Sequence, residues 1–289
     1  LSPLVTVEKS KRKIYEVLTY IGSLALIPII ILMVANTVYT DYFMMIIGPA
    51  SILYLFYEMR NFSAVENKKL LAALVFIIFS IFFWAFYEQS GGSLSLFAAN
   101  NLHNNLLGVE LDPNGVNNSS GALFVIIFAG LLGVLWIWMA KKKIEPNTVV
   151  KFGLGFLFLA AGFWIFYYTK FFASPDGKTS LNLFTFGWFV ITFGELCLSP
   201  IGMSAMTKLS PQKLQAVIMG MWFLASAYGQ YFAGLLGANI AEASENSSNL
   251  EKLNTYADGY EQLAIYALIA GILLIIISPF VKKLMQDVR

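Results

Sequence analysis

Charge is scarce in this chain. Asp, Glu, Lys and Arg make up only 12% of its 289 residues, against 58% apolar. A soluble domain carries roughly 25% charged residues, so a fold bathed in water is excluded. Histidine occurs once, at His103 in a polar linker, and cysteine once, at Cys197 in an apolar run. One thiol allows no disulfide. The apolar stretches offer no nucleophile–base pair, no kinase-type signature and no metal-ligand spacing. The chain therefore reads as non-enzymatic, without a metal or cofactor and without a nucleic-acid partner. Low-complexity tracts, soluble domains and helical repeats of fixed period are missing too. The sequence starts at Leu1 with no signal-peptide pattern, and it is expected to be a piece of a longer protein.

Long apolar segments are what the chain has in quantity. About 20 apolar residues span a bilayer, and eight segments qualify: 14–36, 42–60, 70–97, 121–140, 148–169, 182–207, 214–239 and 260–281. Pro28 and Pro49 fall inside the first two and are expected to kink them. Polar linkers occupy 61–69, 100–120, 141–147 and 241–258. If all eight segments cross, the chain ends and the even-numbered linkers share one side of the membrane. That side collects sixteen basic residues, from Lys9 to Arg289, and the other holds only Lys170, Lys178 and Lys252. Such an excess marks the cytoplasmic side. Both termini are expected there, in a multi-pass protein of the cell membrane.

Two glutamates, Glu88 and Glu195, lie within these spans with no lysine or arginine near them in sequence. A carboxylate in hydrocarbon costs at least a few kcal/mol. It persists by facing a cavity, by holding a proton or by meeting a positive partner. Because neither of these two spans contains a lysine or arginine, the sequence points to transport. In the third span Trp84 and Glu88 are four residues apart and share a helix face. An aromatic wall beside an acid suits an ammonium group. In the sixth span Ser199 follows Glu195 by one turn, and Pro200 then removes a backbone donor. A helix broken at mid-membrane beside an acid is expected here, as in transporter sites.

The seventh span carries two stripes. Ala225, Gly229, Ala233 and Gly237 form a small face that lets a neighbouring helix approach closely. Trp222, Ser226 and Gln230 repeat with the same spacing, and periodicity alone fits a cavity wall or hydrogen-bonded helix glue. Gly153, Gly155 and Gly162 read as packing glycines, since no strand precedes them to build a phosphate loop. Lys141, Lys142 and Lys143 read as an anchor cluster. Trp136, Trp138, Trp164 and Trp188 read as interface or core.

Three motifs now carry a resemblance. They are Phe83-Trp84-Ala85-Phe86-Tyr87-Glu88-Gln89 with Gly92-Ser93, then Gly194-Glu195 with Ser199-Pro200-Ile201-Gly202-Met203-Ser204 and Lys208-Leu209-Ser210-Pro211, and finally Met219-Gly220-Met221-Trp222-Phe223-Leu224. Together, and in this order, they resemble the proton-dependent oligopeptide transporters of the major facilitator superfamily. The resemblance implies an all-α membrane protein with eight transmembrane helices. A lateral inserted pair would occupy 1–66, and the C-terminal six-helix bundle would occupy 67–289. It further implies proton-coupled symport of di- and tripeptides by alternating access. Glu195 would receive the peptide amino terminus, with Trp84 and Trp222 walling the pocket and Ser226 near the peptide, while Glu88 would serve gating and proton coupling. The N-terminal six-helix bundle of the same transporter would be the partner, together with the lipid bilayer. One departure stands out, because Gly121-Ala122 precede Leu123-Phe124 where the family usually has an Asn-Pro pair. A same-fold carrier of nitrate, a drug or another metabolite is the rival expectation.

Overall fold

The computed structural model describes residues 8–242 and 247–288. Residues 1–7 of the expected lateral pair, 243–246 of the last long linker, and Arg289 lie outside the described residues. Among the described residues there are nine α-helices: α1 Lys9–Ala35, α2 Thr37–Glu58, α3 Ala64–Tyr87, α4 Ser93–Asn101, α5 Pro113–Lys141, α6 Thr148–Tyr168, α7 Leu181–Leu209, α8 Gln215–Glu242 and α9 Asn249–Met285. All but α4 exceed 20 residues. Seven spans, with α3 and α4 counted as one, are long and apolar enough to cross a membrane. The eighth long helix, α8, is diluted by its glycines and by Ser226 and Gln230.

Side-chain caps start most of these helices where the sequence supplies them. Ser63 and Glu66 form a reciprocal capping box at α3, as Ser248 and Glu251 do at α9. Asp112 caps α5 ahead of Pro113, and Asn147 and Ser180 cap α6 and α7. Each satisfies a backbone donor that the first turn cannot, an effect worth about 1 kcal/mol.

The chain divides into two compact units, Leu1–Arg60 and Asn61–Arg289. In the first, α1 and α2 run uninterrupted through Pro28 and Pro49. Apolar side chains such as Leu24 and Ile31 are exposed all around α1, as expected where lipid replaces water.

In the second unit α6 packs against both α7 and α9, and glycines set the distance. A side chain on Gly155 would meet the Gly194 carbonyl at 3.0 Å, and one on Gly153 would meet the Gly271 carbonyl at 3.1 Å. Around them Phe163, Phe166, Phe184 and Tyr260 interlock through ring contacts. Cys197 is buried beside Leu196 and Leu132. The small stripe of α8 is buried throughout, with Gly229 against Trp84 and Gly237 against Gly92 and Ser93 of α3 and α4.

The two ends of this unit are tied separately. At one, Lys69 pairs with Asp287 at 2.5 Å and Asn147 donates to Ser278 at 3.0 Å. At the other, Lys170 pairs with Asp258 at 2.7 Å, and Asn101 donates to the carbonyls of Gly177 and Asn249, both at 2.8 Å. A two-residue hairpin interrupts the linker before α5, pairing β1 Asn105–Leu106 with β2 Val109–Glu110. Leu107 and Gly108 at its tip both have positive φ, 52° and 88°, the pairing that tight hairpins favour.

The structure reverses one pair of expectations. The third span is not a single helix: it breaks at Glu88–Gly91 in a 3₁₀ turn. The sixth span, expected to break at Pro200, is one helix of 29 residues. Proline removes one hydrogen bond, but α7 is held on both sides of it. Gly187 receives the ring of Phe166, Gly194 meets Gly155, and Gly202 receives the ring of Trp222. Losing one bond does not part a helix so enclosed.

Candidate functional site

The last turn of α3 and the 3₁₀ turn after it bring the site together. Gln89, fully buried, holds the break in place. Its amide nitrogen donates to the carbonyls of Ala85 at 3.2 Å and Ala233 at 3.3 Å, while Ser93 donates to its Oε1 at 2.9 Å. Asn117 of α5 donates to the Ser90 carbonyl at 2.9 Å. Ending a helix leaves four carbonyls unsatisfied, and these side chains supply donors that the next turn would have given.

That turn aims Tyr87 and Glu88 in neighbouring directions. The Tyr87 hydroxyl donates to Oε2 of Glu195 across to the middle of α7. Glu88 accepts from Gln230 of α8 at 3.4 Å, a long and exposed bond. Thus Glu88 and Glu195, far apart in sequence, both belong to one corner of α3: Glu88 sits on it and Glu195 takes its hydroxyl donor from it. No lysine, arginine or histidine among the described residues forms an ion pair with either acid.

Aromatic rings wall the corner. Trp84 stands edge-on to Tyr87 at 5.3 Å, and Trp188 stands edge-on to its other side at 5.9 Å. Trp188 donates to Asn117 at 3.2 Å, which links α7 and α5 to the break. Gly121 lies where a side chain would come within 3.2 Å of the Tyr87 hydroxyl. The departure noted in the sequence, glycine for asparagine, therefore leaves room for that hydroxyl.

The expected site residues fall into two places. Glu88, Glu195 and Trp84 come together around Tyr87. Ser199 and Ser226 are half-buried, one turn beyond Glu195 on α7 and one turn before Gln230 on α8. Trp222 does not join them. It is 3% exposed, with ring carbons as close as 2.1 Å to where a Cβ on Gly202 would stand, and Phe152 packs at 6.1 Å. Exposure rises along its stripe, from buried Trp222 through Ser226 to exposed Gln230. Of the residues read as core, Trp188 is buried but touches the site. Tyr87 and Asn117 were not singled out from sequence. Their contacts reach across α7 and the α3–α4 break, and no local spacing encodes them; only the adjacency of Tyr87 to Glu88 could have marked it.

Comparison with known proteins bears on this arrangement. The profile of the POT family matches residues 31–256. A protein named peptide transporter YePEPT from Yersinia enterocolitica is 32% identical over 242 residues, covering 82% of this chain and 45% of that protein. Dipeptide and tripeptide permease B from Aeromonas hydrophila is 26% identical over 270 residues, covering 93% and 54%. A crystal structure of a variant peptide transporter POT in complex with alafosfalin superposes with TM-score 0.71 at 26% identity, covering 97% of this chain and 55% of that one. The chain spans about half the length of these relatives.

Proposed function

This chain belongs to the POT family, and on that premise we propose that it forms the C-terminal half of a proton-coupled importer of di- and tripeptides. The observation that carries the reading is the corner around Tyr87. A half-buried carboxylate in mid-helix, bonded to a neutral hydroxyl and to no basic side chain of the described residues, has an open place for a cation. A peptide ammonium fits it, because a charge-assisted bond to a carboxylate in a water-poor site is about twice as strong as a neutral one. Trp84 and Tyr87 offer ring faces and edges beside it, Ser199 offers a hydroxyl one turn beyond Glu195 on α7, and Ser226 offers one on α8, a turn before Gln230.

The same geometry supports proton coupling. A proton on Glu195 removes the charge that holds the ammonium, so the substrate is released where protonation is favoured. Glu88, on the turn rather than in a helix, is assigned to gating: its hold on Gln230 is long and exposed, so a basic group from the other half of the transporter could replace it. The N-terminal six-helix bundle would supply that group and the second wall of the cavity. Trp222 is assigned to seating α7 on α8. The sixteen-to-three bias of basic residues supports cytoplasmic termini in the cell membrane.

The test is gradient-driven dipeptide uptake by the full-length transporter in liposomes. Glu195→Gln is expected to lower uptake about 100-fold or more, because truncating a desolvated charge pair costs about 2–5 kcal/mol. Thermal unfolding of the same variant should stay near wild type. Uptake at the wild-type rate would overturn the assignment, and nitrate competing as well as dipeptides would move it to another substrate.

A further inference from the structure

A second feature lies away from the Tyr87 corner and shares no lining residue with it. A cavity of about 1170 Å³ opens among α5, α6, α7 and α9 at the end of the bundle tied by Lys69 and Asp287. Among the described residues four lysines line it, Lys143, Lys151, Lys208 and Lys282, and one acid, Glu145. Glu145 is already committed, since it pairs with Lys151, itself 8% exposed. Lys143, Lys208 and Lys282 form no ion pair with any acid among the described residues. The cavity thus carries three lysines without an acid partner among the described residues.

Two further observations argue that this charge has a use. Lys143 sits just past the end of α5 with φ of 60°, in the left-handed position that helix ends usually give to glycine. A lysine there carries a backbone cost that glycine would not. Trp136, whose ring lies under the Lys151 ammonium at 4.6 Å, has its indole N–H buried with no hydrogen-bond partner. Trp136 itself lines the cavity, so a donor without a partner lies in the wall beside these lysines.

The deeper wall is different in kind. Leu132, Leu196, Pro200 and Ile201 line it, and they belong to spans that lie in hydrocarbon. A free phosphate would gain nothing from that wall, whereas an acyl chain would. We propose that this cavity binds an anionic phospholipid, its phosphate among Lys143, Lys208 and Lys282 and its chain against the α5–α7 wall. Basic pockets between transmembrane helices recognise anionic headgroups in this way, each lysine contributing attraction that adds to the leaflet's own surface charge.

The probe is phosphatidylglycerol against phosphatidylcholine. The full-length transporter is reconstituted in mixed bilayers of the two, released into mild detergent, and the retained lipid counted by native mass spectrometry. Wild-type protein is expected to retain phosphatidylglycerol over phosphatidylcholine by about tenfold or more, a size consistent with a few surface lysines. The triple variant Lys143→Ala, Lys208→Ala, Lys282→Ala should lose that preference. The triple arginine variant should keep it, as should Lys141→Ala with Lys142→Ala, which changes neighbours that do not line the cavity. Equal retention of the two lipids by wild type would overturn the proposal, as would an unchanged preference in the alanine variant. Inorganic phosphate protecting the detergent-solubilised protein from heat as well as phosphatidylglycerol does would overturn the lipid and leave a free-anion site. If the alanine variant does not fold, the single Lys282→Gln decides, since a preference equal to wild type there also counts against the site.

Discussion

Glu88 sits where a helix stops, and Glu195 sits where a helix carries on past a proline. Both are acids within apolar spans, yet their surroundings solve different problems. The break at 88–91 frees backbone groups, and polar side chains answer them: Gln89 of the turn donates to the Ala85 carbonyl and Asn117 of α5 to the Ser90 carbonyl, while Ser93 of α4 and the Ala233 carbonyl hold the Gln89 amide. Around Glu195 the backbone is complete, and glycines on α6 and α7 bring the helices so close that the helix holds through Pro200. The first region is fastened by hydrogen bonds and the second by contact. An acid placed on the first can change its partner when the turn shifts. An acid placed on the second keeps its position and changes only its protonation or its ligand.

That contrast can be broken most severely in the packed region. Trp222→Ala empties the space over Gly202 and should cost about 3–5 kcal/mol, the range for a buried aromatic cut to alanine. Thermal unfolding in detergent would show it, and a stable variant with only a raised apparent Km would return Trp222 to the pocket wall. A smaller loss is expected in the fastened region. Gln89→Ala removes the bonds to the Ala85 and Ala233 carbonyls and leaves the Ser93 hydroxyl without its acceptor, which should cost about 1–3 kcal/mol. Unfolding free energy unchanged by this variant would mean that the turn holds without its staple.

The smallest effects should separate the two acids functionally. Tyr87→Phe removes the hydroxyl given to Glu195 and keeps the ring. Its expected effect is about tenfold on uptake at low dipeptide concentration, in keeping with about 1.5–3 kcal/mol for a hydrogen bond to a charged group. Gln230→Ala removes only a 3.4 Å, exposed bond to Glu88, and uptake should change by about twofold or less, as weak exposed contacts do. If Gln230→Ala proved the more damaging of the pair, the assignment of the anchored and the switchable acid would have to be exchanged.

Much of this was written plainly in the residues. The long apolar segments, the two acids and the stripe from Ala225 to Gly237 follow from composition and period, and the family resemblance placed the acids on their helices. What sequence misjudged was where a helix would yield. Proline is a local signal, and Pro200 drew the expectation, but close packing on Gly194 and Gly202 is a matter of other helices and decided against it. The real break had its own local sign in Gly91-Gly92, weaker than a proline and followed by a serine that continues helically. Periodicity put Trp222, Ser226 and Gln230 on one face correctly. It could not say that the face passes from a packed interior to an open surface along its length. Tyr87 pairs with a residue on another helix far along the chain, and no spacing reports such a meeting.

The burial of Cys197 has a practical side. It is the chain's sole thiol and is 1% exposed beneath α5, so a maleimide reagent applied to the folded protein has no native target here. A cysteine introduced at Gln230 or at Met203, both exposed, would be the accessible thiol among the described residues of this chain. Distances from a label on that thiol could then be followed without first rebuilding the packed layer in which the native cysteine sits.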